Sequence, residues 1–404
     1  MDFDAIIVGA GIGAGVLAHR LARGGKRVVL LDRAASPPTL ARPEILWPQT
    51  VRALASLLQG RVPVDDVILP LGGVDVTCGS RTFAVLDRPT LDRVGFGPAS
   101  TDPEQTRAAL LRDAPFDVRR GIEVLDLLKD DACIRGVRCR DRATSGEFDL
   151  AAPVVVGDDG SHSRIRELAQ IHLSLRPFPL VFVCFGFDWP ASLPPARGRI
   201  FLNLSTPRSG IAGLLCLPFP GGKAAGVIPA RPESLELAAR PDDAWRRFVT
   251  MNPIIAKIAG DRAFPDGFTV VRREWGHADH YGSSPTGGVY LLGDALHPVS
   301  PAGGQGANMS VADAGALADA LLADSPDPLA QFERRRRSAN ERAVDITRRA
   351  SGFLSLPRWC VPLWSRPILA RAAAAVVSRA PGLIRRIATS FVERDRPVRV
   401  SSPP

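Results

Sequence analysis

Lysine is nearly absent from this 404-residue chain, which has four lysines against 47 arginines. Tyrosine occurs twice, methionine three times, and aromatic residues make up 6%. The six cysteines (Cys78, Cys133, Cys139, Cys184, Cys216, Cys360) include no C-x-x-C pair. That argues against a zinc site and a disulfide framework, so no metal is expected and a reducing cytoplasm is the natural compartment. No run of about 18 uncharged apolar residues is present, so no membrane-spanning helix is expected. The most apolar late stretch, residues 361–378, is broken by Arg366, Pro367 and Arg371. The opening MDFDAIIVGAG has no basic stretch before its short apolar run, so no secretory signal is expected. Hydrophobic residues make up 45% and charged residues 23%, which excludes a disordered chain. The 37 glycines and 36 prolines follow no collagen period.

The formal net charge is +9, unevenly spread. Gln331 to Pro404 holds 16 arginines, no lysine and five acids, a net +11, which leaves residues 1–330 at −2. A basic tail suits anionic partners, either nucleic acid or membrane lipid. No nucleic-acid motif or aromatic stacking pattern accompanies it, so no nucleic-acid partner is expected.

Along the chain, residues 4–8 read as a buried strand, GAGIGAG as a turn, and the residues up to Gly24 as a helix. RVVLLD (27–32) is a second buried strand, completing a βαβ unit and hence a parallel sheet. Residues 47–59 and 103–113 read as helices. PVVVGDDG (153–160) and GGVYLLGD (287–294) are two more buried strands with acidic ends, and residues 311–323 are a helix. The β runs between, above all 178–230, look antiparallel. One nucleotide-binding domain assembled from separated segments, with a second sheet inserted twice, accounts for this order.

Three motifs carry chemistry. Gly9-x-Gly11-x-x-Ala14 follows a strand and opens a helix, with Gly13 flanking the third position. Gly9 allows the tight turn, Gly11 lets a pyrophosphate approach the backbone, and Ala14 is small enough for helix–strand packing. Free N–H groups and the positive helix end then face the phosphates. Asp32 ends the second strand, placed to accept from ribose hydroxyls, with Arg33 beside it. The second motif is Gly157-Asp158-Asp159-Gly160-Ser161-x-Ser163-x-x-Arg166. The third is Gly293-Asp294-Ala295-x-His297-Pro298 followed by Pro301-x-Gly303-Gly304-Gln305-Gly306-x-Asn308. A strand-end Asp can hold a polyol hydroxyl, and the glycine segment opens a helix whose N–H groups can face a developing anion.

Together these motifs resemble the para-hydroxybenzoate-hydroxylase-like flavoproteins, the single-component aromatic monooxygenases, from about residue 4 to 350. The resemblance implies an α/β fold: a Rossmann-like FAD-binding domain of the glutathione-reductase type, an inserted mostly antiparallel substrate sheet and a helical tail. The expected division is FAD-binding parts at 1–70, 101–175 and 276–345, substrate-sheet parts at 71–100 and 176–275, and basic helices at 346–404. It implies non-covalent FAD, with NADH or NADPH as transient reductant and O2 as co-substrate. By the same similarity Asp32 holds the adenosine ribose and Asp294 the ribityl chain. Pro301, Gly304, Gln305 and Gly306 line the flavin ring, and Asp159 and Gly160 lie near the cofactor cleft. Arg42 and Arg107 fall where the family places arginines near the flavin.

The implied reaction is hydroxylation of an aromatic, quinolone or quinone-like compound through a flavin C4a-hydroperoxide. The protein supplies orientation and electrostatics. Side chains for acid–base work are the least defined: His277, His280 and Tyr281 precede the last flavin strand and are candidates to reach the cleft. His297 lies inside the third motif; a lone histidine is more often structural than catalytic. Two other readings share the fold, a geranylgeranyl-reductase-type enzyme and a non-catalytic FAD or lipid carrier. No W-x-W-x-I-P halogenase signature is present. The tail mixes arginine with Trp359, Trp364, Leu363, Ile368 and Leu369. It reads either as a peripheral contact with an anionic membrane face, suited to a prenylated substrate, or as helices covering the FAD domain. The arginine excess points to a GC-rich bacterial genome, in keeping with secondary metabolism.

Overall fold

The computed structural model describes residues 1–37, 42–78, 81–94, 97–131, 133–202, 213–231, 269–283, 288–301, 304–323 and 325–354. A five-stranded sheet forms its centre, in the order Val289–Leu291, Val154–Gly157, Ala5–Val8, Val28–Asp32 and Asp117–Arg120. Every neighbouring pair in it is parallel. The reason is legible in composition. Ile6, Ile7, Val29, Leu30, Leu31, Val155 and Val156 are fully buried. Continuous apolar strands of this kind need cover on both faces. One face is covered by the helices Ile12–Arg23 and Gly306–Leu322, which pack on each other. The other carries a three-stranded antiparallel sheet, Ile122–Asp130, Cys133–Asp141 and Glu147–Ala151, whose Val137 and Cys139 join the same core.

A seven-stranded sheet stands beyond the C-terminal ends of the parallel strands. Its order is Thr269–Trp275, Arg176–Asp188, Lys223–Ala230, Gly213–Pro218, Arg197–Leu202, Gly73–Cys78 and Arg81–Leu86. All pairs are antiparallel except Arg197–Leu202 with Gly73–Cys78. Register places Phe182 opposite Val271, and Cys184 and Leu215 on either side of Val227. These five therefore share one face of the pleat. A small sheet of Glu44–Leu46, Ala99–Thr101 and Leu69–Pro70 bridges the two large ones.

Ala99–Thr101 thus pairs with Glu44–Leu46 and not with the strands of 73–86, which moves it out of the segment expected to be substrate sheet. The helix Pro328–Leu354 also runs through the boundary expected at 345/346. Ion pairs at i,i+4 spacing, Arg337 with Glu333 and Glu341 and Arg349 with Asp345, carry it across. The tail residues 355–404, with Trp359 and Trp364, lie outside the described residues. Among the described residues no helix is long and apolar enough to cross a membrane.

Candidate functional site

A cavity of about 790 Å³ lies between the ends of the parallel strands and the apolar face of the seven-stranded sheet. That volume falls within the about 300–1,000 Å³ usual for small-molecule and cofactor sites. All three sequence motifs open into it.

The first motif forms one end. Gly9 has φ +103, and a Cβ there would lie 2.2 Å from the Asp158 carbonyl oxygen. A Cβ on Gly11 would lie 2.4 Å from Asp158 Oδ2. Only glycine lets the backbone pass this close, and both residues face the cavity. The helix Ile12–Arg23 starts here with no side-chain cap from Gly11. Gly13 and Ala14 do not line the cavity. A Cβ on Gly13 would meet Ser310 Oγ at 2.1 Å, so Gly13 serves helix packing. Ala14 donates its N–H to Asp158 Oδ2 at 2.8 Å.

Asp32 and Arg33 line the same end. The Asp32 carboxylate accepts from Ala34 N–H at 3.0 Å and from Arg120 at 3.4 Å, which fixes its direction.

In the second motif Asp159 and Gly160 line the cavity. Asp159 is committed to structure: it accepts from Ser163 Oγ at 2.5 Å, Arg164 N–H at 2.7 Å and Ile165 N–H at 3.2 Å. It therefore braces the first turn of the short helix Arg164–Leu168, whose N-cap is Ser163. Arg166 then ties this turn to the third motif, donating to the carbonyls of Ser161 at 2.7 Å and Ala295 at 2.8 Å.

The third motif closes the far side. Asp294, Pro301, Gly304, Gln305 and Gly306 all face the cavity. Gly304 has φ +61, and a Cβ there would touch Ile45 at 2.9 Å. Asn308 holds this turn in place. Its amide donates to the Gly304 carbonyl at 2.6 Å and the Ile45 carbonyl at 2.8 Å, and its oxygen accepts from Trp47 N–H at 2.8 Å.

Arg42, Glu44 and Arg107 also line the cavity, with Arg273 from the seven-stranded sheet. Arg107 pairs with Glu104 at 2.6 Å, and Arg273 with Asp294 at 3.4 Å. Burial raises the Glu44 pKa, and Arg42, Arg273 and Arg107 oppose that rise. The wall facing them is apolar: Phe182, Leu215, Val227 and Val271, with Cys184. Arg273 had no sequence signal of its own and is brought in by the strand Thr269–Trp275 pairing with Arg176–Asp188, whereas Asn308 stands inside the third motif.

The expected acid–base candidates lie elsewhere. His280 is exposed, and His277 and Tyr281 do not reach the cavity. Tyr281 is fully buried. Its hydroxyl accepts from Asn340 at 3.1 Å and bonds His277 Nε2 at 2.9 Å. Asn340 and Arg336 donate to the buried Asp313, which also bonds His297. These side chains are used to satisfy one another in the core behind the third motif, which is why none faces a ligand.

The donor set fits a flavin dinucleotide. It combines two glycines at a helix N-terminus for a pyrophosphate, strand-end carboxylates at both ends, and a glycine turn opening a second helix. Comparison with known proteins agrees. The sequence model of the FAD binding domain family matches residues 2–347. Squalene epoxidase 2, mitochondrial, of Arabidopsis thaliana is 27% identical over 79% of this chain and 54% of its own length. Protoasukamycin 4-monooxygenase of Streptomyces nodosus subsp. asukaensis is 25% identical over 86% of this chain and 87% of its own. The crystal structure of Pseudomonas aeruginosa PqsL in complex with 2-aminobenzoylacetate superposes with a TM-score of 0.69, 25% identity, and coverage of 87% of this chain and 96% of that one. The chain spans only 54–60% of the length of several curated relatives it matches. On the match across most of its length, the chain belongs to the FAD binding domain family of flavoproteins.

Proposed function

We propose that this protein is an FAD-dependent monooxygenase that consumes NADH or NADPH and O2 and hydroxylates an aromatic, quinolone or quinone-like substrate. The supporting observation is that a dinucleotide-binding cradle and an apolar sheet face line one continuous cavity. FAD, once reduced by the nicotinamide, supplies the activation of O2 for transfer to the substrate. In this reading Asp32 accepts from the adenosine ribose, and the N-terminus of Ile12–Arg23 takes the pyrophosphate. Asp294 holds the ribityl hydroxyls. Gly304, Gln305 and Gly306 present the positive end of the helix Gly306–Leu322 to negative charge on the ring. Phe182, Leu215, Val227 and Val271 hold the substrate ring and exclude water, while Arg42 and Arg107 lie against the flavin. Relatives named for squalene, protoasukamycin and hydroxyphenylpropionate support an aromatic or extended apolar substrate. The net +7 of residues 355–404 supports peripheral contact with anionic lipid as its route of delivery.

The test is turnover under 18O2 with a panel of aromatic and quinolone compounds. One 18O atom in the product per NAD(P)H consumed is expected, the second oxygen leaving as water. A product that gains two hydrogens and no oxygen would make the protein a reductase. Purification without flavin would make it a carrier at most.

A further inference from the structure

Asp158 places an acid where a dinucleotide turn already awaits negative charge. It follows the strand Val154–Gly157, and its own N–H donates to the Val8 carbonyl at 2.8 Å, locking the turn beside the first strand. The side chain turns into the cavity. Oδ2 accepts from Ala14 N–H, in the first turn of the helix that would receive the pyrophosphate. Oδ1 faces the third motif, where a Cβ on Gly293 would lie 2.5 Å from it. The carboxyl group is thus wedged between the two turns that grip the cofactor.

Its neighbours make ionisation costly. The charges of Asp294 in the third motif, Asp159 in its own turn and Asp313 in the helix Gly306–Leu322, the last paired with His297 and Arg336, all oppose it. Ser310 of that helix adds only a hydroxyl near Gly293. The first helix offers the Ala14 N–H and its positive end, with no acid in its first turn. The nearby cation Arg273 pairs with Asp294. Among the described residues Asp158 forms no ion pair. Burial, reinforced by the three acids, pushes its pKa up to about 7 against the pull of the Ala14 hydrogen bond. A pyrophosphate arriving at the same helix end adds two more negative charges within a few ångströms.

We propose that Asp158 takes up one proton as FAD binds, and as a neutral acid donates a hydrogen bond from Oδ1 to an oxygen of the dinucleotide. The proton comes from solvent and returns to it when FAD leaves; no electron moves. FAD affinity is then set by pH through this one group. The inference rests on FAD occupying the cavity and not on the monooxygenase reading.

The experiment dilutes the yellow holoenzyme at constant ionic strength between pH 6 and 8.5 and reads released FAD by its fluorescence. For the wild type, Kd is flat below about pH 7 and rises by about tenfold from pH 7.5 to 8.5. Asp158→Asn keeps an oxygen for Ala14 N–H and cannot ionise. Its Kd stays within about threefold of the wild-type low-pH value at every pH. A flat wild-type profile, or a slope retained in Asp158→Asn, overturns the proposal. Should the variant not fold, the wild type decides alone. FAD titrations of deflavinated enzyme at pH 7.5, in two buffers of different ionisation enthalpy, should register between a half and one proton taken up per FAD. Zero overturns the proposal. A protein that holds no flavin at any pH fails the cofactor assignment itself, a result visible in its absorbance before any titration.

Discussion

His277, Tyr281, Asn340, Asp313, Arg336 and His297 form one polar chain, and two of its members, Asp313 and His277, respond to acid through different windows. Burial alone would raise the Asp313 pKa, but His297 and Arg336 outweigh it and hold the group down at about 2. Its contribution to stability is therefore complete above its unfolded value near pH 4, and is lost as pH falls toward 2. His277 is pushed down to about 4, by burial first and then by His297 and Arg337. Between about pH 6.5 and 4 the unfolded state holds a proton at His277 that the folded state does not, so stability falls as pH falls through that window. The urea midpoint of the holoenzyme should therefore drop between pH 7 and 5 by the equivalent of about 1 kcal/mol for this group. His277→Gln, which can still bond the Tyr281 hydroxyl, should flatten that slope; an unchanged slope assigns it to other groups. The same residues mark the limit of the sequence. Proximity in the chain to GGVYLLGD made His277, His280 and Tyr281 candidates for the cleft. The direction of Tyr281, and through it of His277, was fixed by Asn340 and Phe332, which no local pattern connects to them. Asp32, Asp294 and the glycine turns were legible because strand-end position alone determines where they point.

At the scale of elements, the tightest joint is the helix pair that backs the parallel sheet. Ile12–Arg23 and Gly306–Leu322 meet through Gly13 against Ser310 at one end and Gly24 against Leu322 at the other. Arg20 and Asp319 pair at 2.5 Å between them. Both cofactor turns lead directly into these two helices, so their spacing sets the width of the cradle. A methyl on Gly13 has no room: besides Ser310 Oγ it would lie 3.1 Å from the Ser310 carbonyl oxygen. Gly13→Ala should cost about 1–3 kcal/mol of stability, the usual penalty of overpacking. It should also weaken FAD binding. Ser310→Gly removes the nearer obstacle, so the double variant should recover about half the loss, a coupling that a double-mutant cycle in urea measures. Strictly additive losses would show that the helices do not meet through this pair. The sequence signalled both helices through GAGIGAG and the alanine-rich run after Gly306. It did not signal that they touch, since about 300 residues separate them and the contact depends on two small side chains. The seven-stranded sheet was half legible for a related reason. Its β runs at 178–230 are rich in Phe, Val and Leu and broken by Pro and Gly, whereas the strand Ala99–Thr101 of the small sheet is three residues long and finds its partners at 44–46 and 69–70.

At the scale of the whole molecule, the cavity is walled by stretches far apart in the chain: residues 8–12, 32–34, 42–45, 122–125, 158–160, the strands of the large sheet, 293–301 and 304–310. The parallel strands alone bring 1–32, 154–157 and 289–291 side by side, so no contiguous half of the sequence holds the cofactor. Charge is divided differently. Five of the seven arginines between 331 and 354 are tied into ion pairs, Arg335 and Arg336 with the helix Gly306–Leu322 and Arg337, Arg348 and Arg349 with acids of their own helix. The basic surplus that counts for partners is therefore the +7 of residues 355–404. A ligand clamped by so many separate stretches stabilises all of them together. With FAD at a thousandfold over its dissociation constant, linkage adds about 4 kcal/mol to the folded state. Loss of helix signal and loss of flavin quenching should then fall on a single thermal transition, whose midpoint rises with added FAD. If flavin fluorescence appears well below the helix transition, the two sheets part at the cavity while each remains folded. The cofactor would then report a local opening and not the stability of the molecule.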